Sequence, residues 1–171
     1  MPGPAPRADR QTMNTPHRAS PEPLARSAAW PDGAPRVSDR ASLSRTVVGA
    51  DIIHFTALSG DRNPLHYDER AAAATRLGGI VVQGGVTSAI LNAVVAERLP
   101  GPGTVFLETH LRFRAPTRPG DRITGEVTVT GVREDKPITT LDVRVVRDDG
   151  VVAIEGTAVC WTMHLGERGA R

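Results

Sequence analysis

From Val86 to Leu99 the chain is apolar on nearly every side of a helix: Val86, Ala89, Ile90, Ala93 and Val94 follow helical steps, while Leu91, Val95 and Ala96 occupy the remaining faces. A helix with so little polar surface has to be wrapped by something else. Pro100-Gly101-Pro102-Gly103 stops it, because proline cannot continue the hydrogen-bond ladder. Beyond that point the pattern has a period of two. Val105, Leu107, Thr109, Leu111 and Phe113 alternate with Phe106, Glu108, His110, Arg112 and Arg114, as in a strand with one buried face. Turns at Pro119-Gly120-Asp121, Glu134 to Pro137 and Asp148-Asp149-Gly150 lead into three more strands, marked by Ile123, Val127 and Val129, by Leu141, Val143 and Val145, and by Val151 to Thr162. One apolar helix followed by long antiparallel strands predicts an α+β domain in which the sheet curls about a central helix. Such a sheet leaves edges to cover, and a dimer covers them.

Upstream, Leu43 to Val48 reads as a short strand and Asp51 to Leu58 as a helix, with Ile52, Phe55 and Leu58 at helical spacing. Asp68 to Leu77 is alanine-rich with acids in its first turn, which predicts a second helix closed by Gly78. Ile80 to Val82 is a short buried run ended by Gln83-Gly84-Gly85. Residues 1–40 are rich in Pro, Ala, Arg and Ser and are expected to be a disordered tail, with Trp30 its one large apolar residue. The folded domain is expected over residues 41–165 and a flexible end over 166–171.

The net charge of +2 is spread along the chain and forms no basic block, so nucleic-acid binding is not indicated, although a phosphate-bearing small molecule would suit the surface. Cys160 is the single cysteine, which rules out an internal disulfide and marks a small core residue in a reducing compartment. No apolar run approaches the length of a bilayer span, and the N-terminus lacks the apolar segment of a secretory signal. The expectation is a cytoplasmic protein with no membrane contact.

Between the first two helices lies Ser59-Gly-Asp-Arg-Asn-Pro-Leu-His66. It gathers an acid, an amide and an imidazole on a backbone made irregular by Gly60 and Pro64, so that Asp61, Asn63 and His66 can converge where a regular helix would spread them. Together with the preceding Phe55-Thr-Ala-Leu, the following Tyr67-Asp68, the Leu99-Pro-Gly-Pro-Gly-Thr104 stop and the Leu111-Arg-Phe-Arg-Ala-Pro-Thr-Arg-Pro-Gly-Asp121 segment, it resembles the MaoC-like, (R)-specific enoyl-CoA hydratases. The resemblance spans about residues 43 to 163. It implies a hot-dog fold, a homodimer or higher homo-oligomer, acyl thioesters of coenzyme A or acyl carrier protein as substrates, and no metal or redox cofactor. It also implies that Asp61 and His66 are the catalytic pair. Two departures stand out: the family usually carries His-Gly-Met where this chain has Gln83-Gly84-Gly85, and a Ser two turns further on is replaced by Asn92.

Hydrating a double bond conjugated to a thioester needs a base for water, an acid for C2 and a stabiliser for the enolate-like oxygen. His66 suits the base, since its ordinary pKa lies near neutrality, and Asp61 would assist and handle the C2 proton, although the reverse assignment fits the same residues. Gly84 opens the long helix, where the dipole's positive end favours developing negative charge, and in the family this amide holds the thioester oxygen. Asn63 and Gln83 complete the expected substrate-binding set, Asn63 chiefly as a brace of the loop. The reaction expected is the interconversion of trans-2-enoyl and (R)-3-hydroxyacyl thioesters. A hot-dog acyl thioesterase and an accessory subunit of a heteromeric hydratase are the alternatives.

Overall fold

The computed structural model describes residues 34–133 and 135–165, so the expected N-terminal tail up to residue 33, Trp30 included, and the end from 166 lie outside the described residues. In chain order the elements are β1 (Arg40–Thr46), α1 (Gly49–Ser59), a single 3-10 turn (Pro64–His66), α2 (Glu69–Ala73), α3 (Gly84–Glu97), β2 (Thr104–Phe113), β3 (Arg122–Val132), β4 (Ile138–Arg147) and β5 (Val152–Thr162). The strands form one antiparallel sheet in the order β1-β3-β4-β5-β2. Alternation along β3 and β4 sends Ile123, Val127, Val129, Leu141, Val143 and Val145 to the face that α3 covers with Val86, Ile90, Leu91, Val94 and Val95. Cys160 lies in this core, where burial pushes its thiol up to about 12.

Four sequence expectations are corrected. Pairing starts before the expected boundary at residue 41: Ser38 N–H donates to the Val129 carbonyl at 2.8 Å, Val129 N–H returns to the Asp39 carbonyl at 2.9 Å, and β1 begins at Arg40. The alanine-rich helix stops at Ala73 instead of Leu77. The Thr75 hydroxyl donates to the Ala72 carbonyl at 2.7 Å and accepts Leu77 N–H at 3.1 Å, so a local side-chain turn replaces the helical bond. Arg118 then holds the segment from outside by donating to the carbonyls of Leu77 and Ile80.

The long helix is buried on one side only, since Ala89, Asn92, Ala93 and Glu97 are exposed in the single chain. In β2 the even alternation fails as well. A bulge between Phe106 and Glu108 shifts the register against β5, so Phe106 and Leu111 pack on the core while Val105, Leu107 and Phe113 are exposed.

Candidate active site

The loop that carries the site starts as a helix cap. Gly60 takes φ +77°, a left-handed conformation, and its N–H turns back to the Thr56 carbonyl at 2.8 Å. Two side-chain turns follow in succession. Asp61 Oδ1 accepts Asn63 N–H at 3.0 Å, and Asn63 Oδ1 accepts Leu65 N–H at 3.1 Å. Pro64 opens the 3-10 turn, and the chain curls until His66 faces Asp61.

His66 Nε2 lies 3.5 Å from Asp61 Oδ2, with the His66 side chain 9% exposed and that of Asp61 40%. On the other side of the ring, Nδ1 is 2.7 Å from the Val81 carbonyl oxygen. A carbonyl only accepts, so Nδ1 carries the hydrogen and Nε2 of the neutral ring turns a lone pair toward the carboxylate. Neither atom then has a hydrogen to offer the other. A water donating one O–H to each would satisfy both, and a proton passed from it to Nε2 would leave an imidazolium beside the carboxylate.

Val81 also ties this loop to the start of α3. Its N–H donates to the Leu65 carbonyl at 3.3 Å, and Gly84 follows three residues later, within about 10 Å of extended chain. Val86 N–H donates to the Gln83 carbonyl at 3.0 Å, while the N–H groups of Gly84 and Gly85 precede the first helical bond and stand at the dipole's positive end. Side chains are excluded here: a Cβ on Gly84 would stand 2.8 Å from Phe113 Cε1, and one on Gly85 would overlap the Phe55 ring. An aromatic ring from α1 thus fills the space beside Gly85.

The structure brings Asp61, Asn63 and His66 together in one loop. Gln83 precedes Gly84 as the N-cap of α3, and its Nε2 donates to Thr56 Oγ1 at 3.0 Å and to the Ile52 carbonyl at 3.3 Å. The Gln83 amide nitrogen is therefore committed to α1, and the Asn63 side-chain oxygen to the 3-10 turn. The sequence reading assigns no role to Thr56 or Tyr67, yet Thr56 Oγ1 donates to the Asp61 carbonyl at 2.7 Å and is hydrogen-bonded to the Tyr67 hydroxyl. A signal existed in the chain: Thr56 stands four residues after Ile52 on the buried face of α1, where a hydroxyl requires partners.

Along α3 from Gly84, a cavity of about 220 Å³ opens between the helix and the sheet, lined by Ser88, Leu91, Asn92, Phe106, Thr109, Leu111, Val143 and Ala158. Its first residue, Ser88, is one turn from Gly84.

The MaoC like domain family model matches residues 33–150. The chain is 40% identical over 123 residues to an (R)-specific enoyl-CoA hydratase of Aeromonas caviae, a match covering 72% of this chain and 92% of that protein. It is 39% identical over 118 residues to an (R)-specific enoyl-CoA hydratase of Rhodospirillum rubrum, covering 69% and 81% respectively. Among solved structures, the (R)-hydratase from A. caviae involved in PHA biosynthesis aligns with a TM-score of 0.71 and 38% identity, over 74% of this chain and 96% of that one.

Proposed function

We propose, from the premise that this chain belongs to the MaoC-like domain family and has the hot-dog fold, that Asp61 and His66 together activate the water added to an enoyl thioester. The chain is a hydratase/dehydratase, a hydro-lyase that interconverts trans-2-enoyl and (R)-3-hydroxyacyl thioesters. The observation that carries the site assignment is the pairing of His66 Nε2 with Asp61 Oδ2 at 3.5 Å while Nδ1 is held by Val81.

In this reading one water donates to both atoms. His66 Nε2 takes a proton as the water oxygen bonds to C3, and the electrons of the double bond move toward the thioester carbonyl, whose oxygen accepts the Gly84 N–H. The proton passes to the carboxylate and is delivered to C2, so one molecule of water is added across the bond. Asn63 and Gln83 act by holding the loop, and the acyl tail lies in the cavity that begins at Ser88.

The protein acts as a homodimer joined along β2, whose outer edge is unpaired among the described residues and carries exposed Val105, Leu107 and Phe113. Among the described residues no helix is long and apolar enough to cross a membrane.

The test is incubation with crotonyl-CoA while the enoyl absorbance and free thiol are followed together. Hydration removes the absorbance and leaves thiol unchanged. Release of thiol with the double bond intact would identify a thioesterase and overturn the reading.

A further inference from the structure

We infer that Gln83 and Thr56 are positioning residues for the Asp61/His66 pair, a relay that ties the backbone of the catalytic loop to the start of α3. The inference rests on the catalytic reading of that pair. The Thr56 hydroxyl has one hydrogen and two lone pairs. Its hydrogen goes to the Asp61 carbonyl oxygen at 2.7 Å, which can only accept. Gln83 Nε2 donates into one lone pair at 3.0 Å, so the Tyr67 hydroxyl donates into the other. The group is saturated, and its direction is set.

The Gln83 amide has equally little choice. Its second N–H donates to the Ile52 carbonyl at 3.3 Å, and a flipped amide would set two carbonyl oxygens against each other. Gln83 is 1% exposed and Thr56 7%. One hydroxyl therefore grips both ends of the motif, Asp61 at its start and Tyr67 just after His66. Gln83 joins that grip directly to Gly84, the next residue, so the water-holding pair and the helix-start amide are kept in register.

This orientation leaves Gln83 Oε1 buried without a partner among the described residues. An unsatisfied buried acceptor destabilises a fold, and an apolar side chain of similar volume would avoid the penalty. The amide is thus poorly suited to stability alone and well suited to holding the loop, as expected of a residue placed for function.

The experiment compares kcat, KM and melting temperature in the full chain for Gln83→Leu, Thr56→Val and Thr56→Ser, with Asp61→Asn as reference. Misplacement of the pair should lower kcat in Gln83→Leu and Thr56→Val by about 10- to 100-fold. KM should change by less than about threefold, since substrate contacts are not removed. Gln83→Leu should melt at or above the parent temperature, and Thr56→Ser, which keeps the hydroxyl, should recover kcat to within about threefold. If Gln83→Leu and Thr56→Val keep the parent kcat while Asp61→Asn loses it, the relay is overturned and the catalytic reading stands. If Asp61→Asn is also fully active, the catalytic reading itself falls. A loss that follows a fallen melting temperature and is not relieved in Thr56→Ser overturns the relay as well.

Discussion

At His66 the Val81 carbonyl decides which nitrogen carries the hydrogen, and the nitrogen left free is the one that meets Asp61. Replacing either partner should therefore remove chemistry and spare the fold. Asp61→Asn and His66→Ala are each expected to lower kcat by about 10² to 10⁴, with an unchanged circular dichroism spectrum. Position 85 should behave the opposite way. A methyl there would overlap the Phe55 ring, so Gly85→Ala should destabilise the fold by about 1–3 kcal/mol, measured by urea unfolding, and Phe55→Leu in the same chain should recover part of that loss. The convergence of Asp61 and His66 was legible because Gly60 and Pro64 announce a local irregular turn, and the bonds within it span two or three residues. The link from Gln83 to Thr56 was not, since it joins residues 27 apart and depends on how α1 lies against α3.

Elements were legible in kind and order, and their limits moved where tertiary partners or side-chain bonds intervened. The alanine run at 71–74 favours helix, yet the Thr75 hydroxyl takes the Ala72 carbonyl that a longer α2 would use, and Arg118 holds the Leu77 and Ile80 carbonyls beyond it. In β2 the period of two was read correctly as strand, but a bulge reverses inside and outside midway, and no residue type in that stretch signals it. The start of α1 follows its sequence closely. Asp51 Oδ2 accepts Val48 N–H at 2.8 Å and pairs with Arg45. Partial burial opposes its ionisation, but the Arg45 bond, the Val48 N–H and the nearby positive charge prevail and hold the carboxyl below its ordinary 3.8. A carboxylate with a depressed folded pKa stabilises above the unfolded value and loses that contribution as pH falls through the folded one. Asp51→Ala should thus lower stability by about 1 kcal/mol at pH 7, a difference that shrinks below pH 3.8. Thermal melts of both chains across that range are the check.

Over the whole molecule, the α+β architecture was legible because a helix apolar on most faces admits few partners other than a curled sheet. The sequence reads α3 as buried nearly all round and one face of β2 as buried throughout, whereas one side of α3 and Val105, Leu107 and Phe113 of β2 are exposed, because an apolar pattern does not say which residues the chain's own fold covers. If two copies join along β2, sedimentation equilibrium should give twice the 18.2 kDa of one chain, and the double change Val105→Lys with Leu107→Lys should shift it toward the monomer. A parent chain that sediments as a monomer at micromolar concentration would count against that assembly. The pairing of β1 with β3 bears on how the protein is made. Ser44 and Thr124, bonded at 2.8 Å, are 80 residues apart in the chain, and the loop of Asp61 and His66 lies between them. A ribosome adding about 5–20 residues per second leaves β1 without its neighbour for roughly 4–16 s. During synthesis the first strand therefore waits, and the enzyme gains its activity only after nearly the entire domain has emerged.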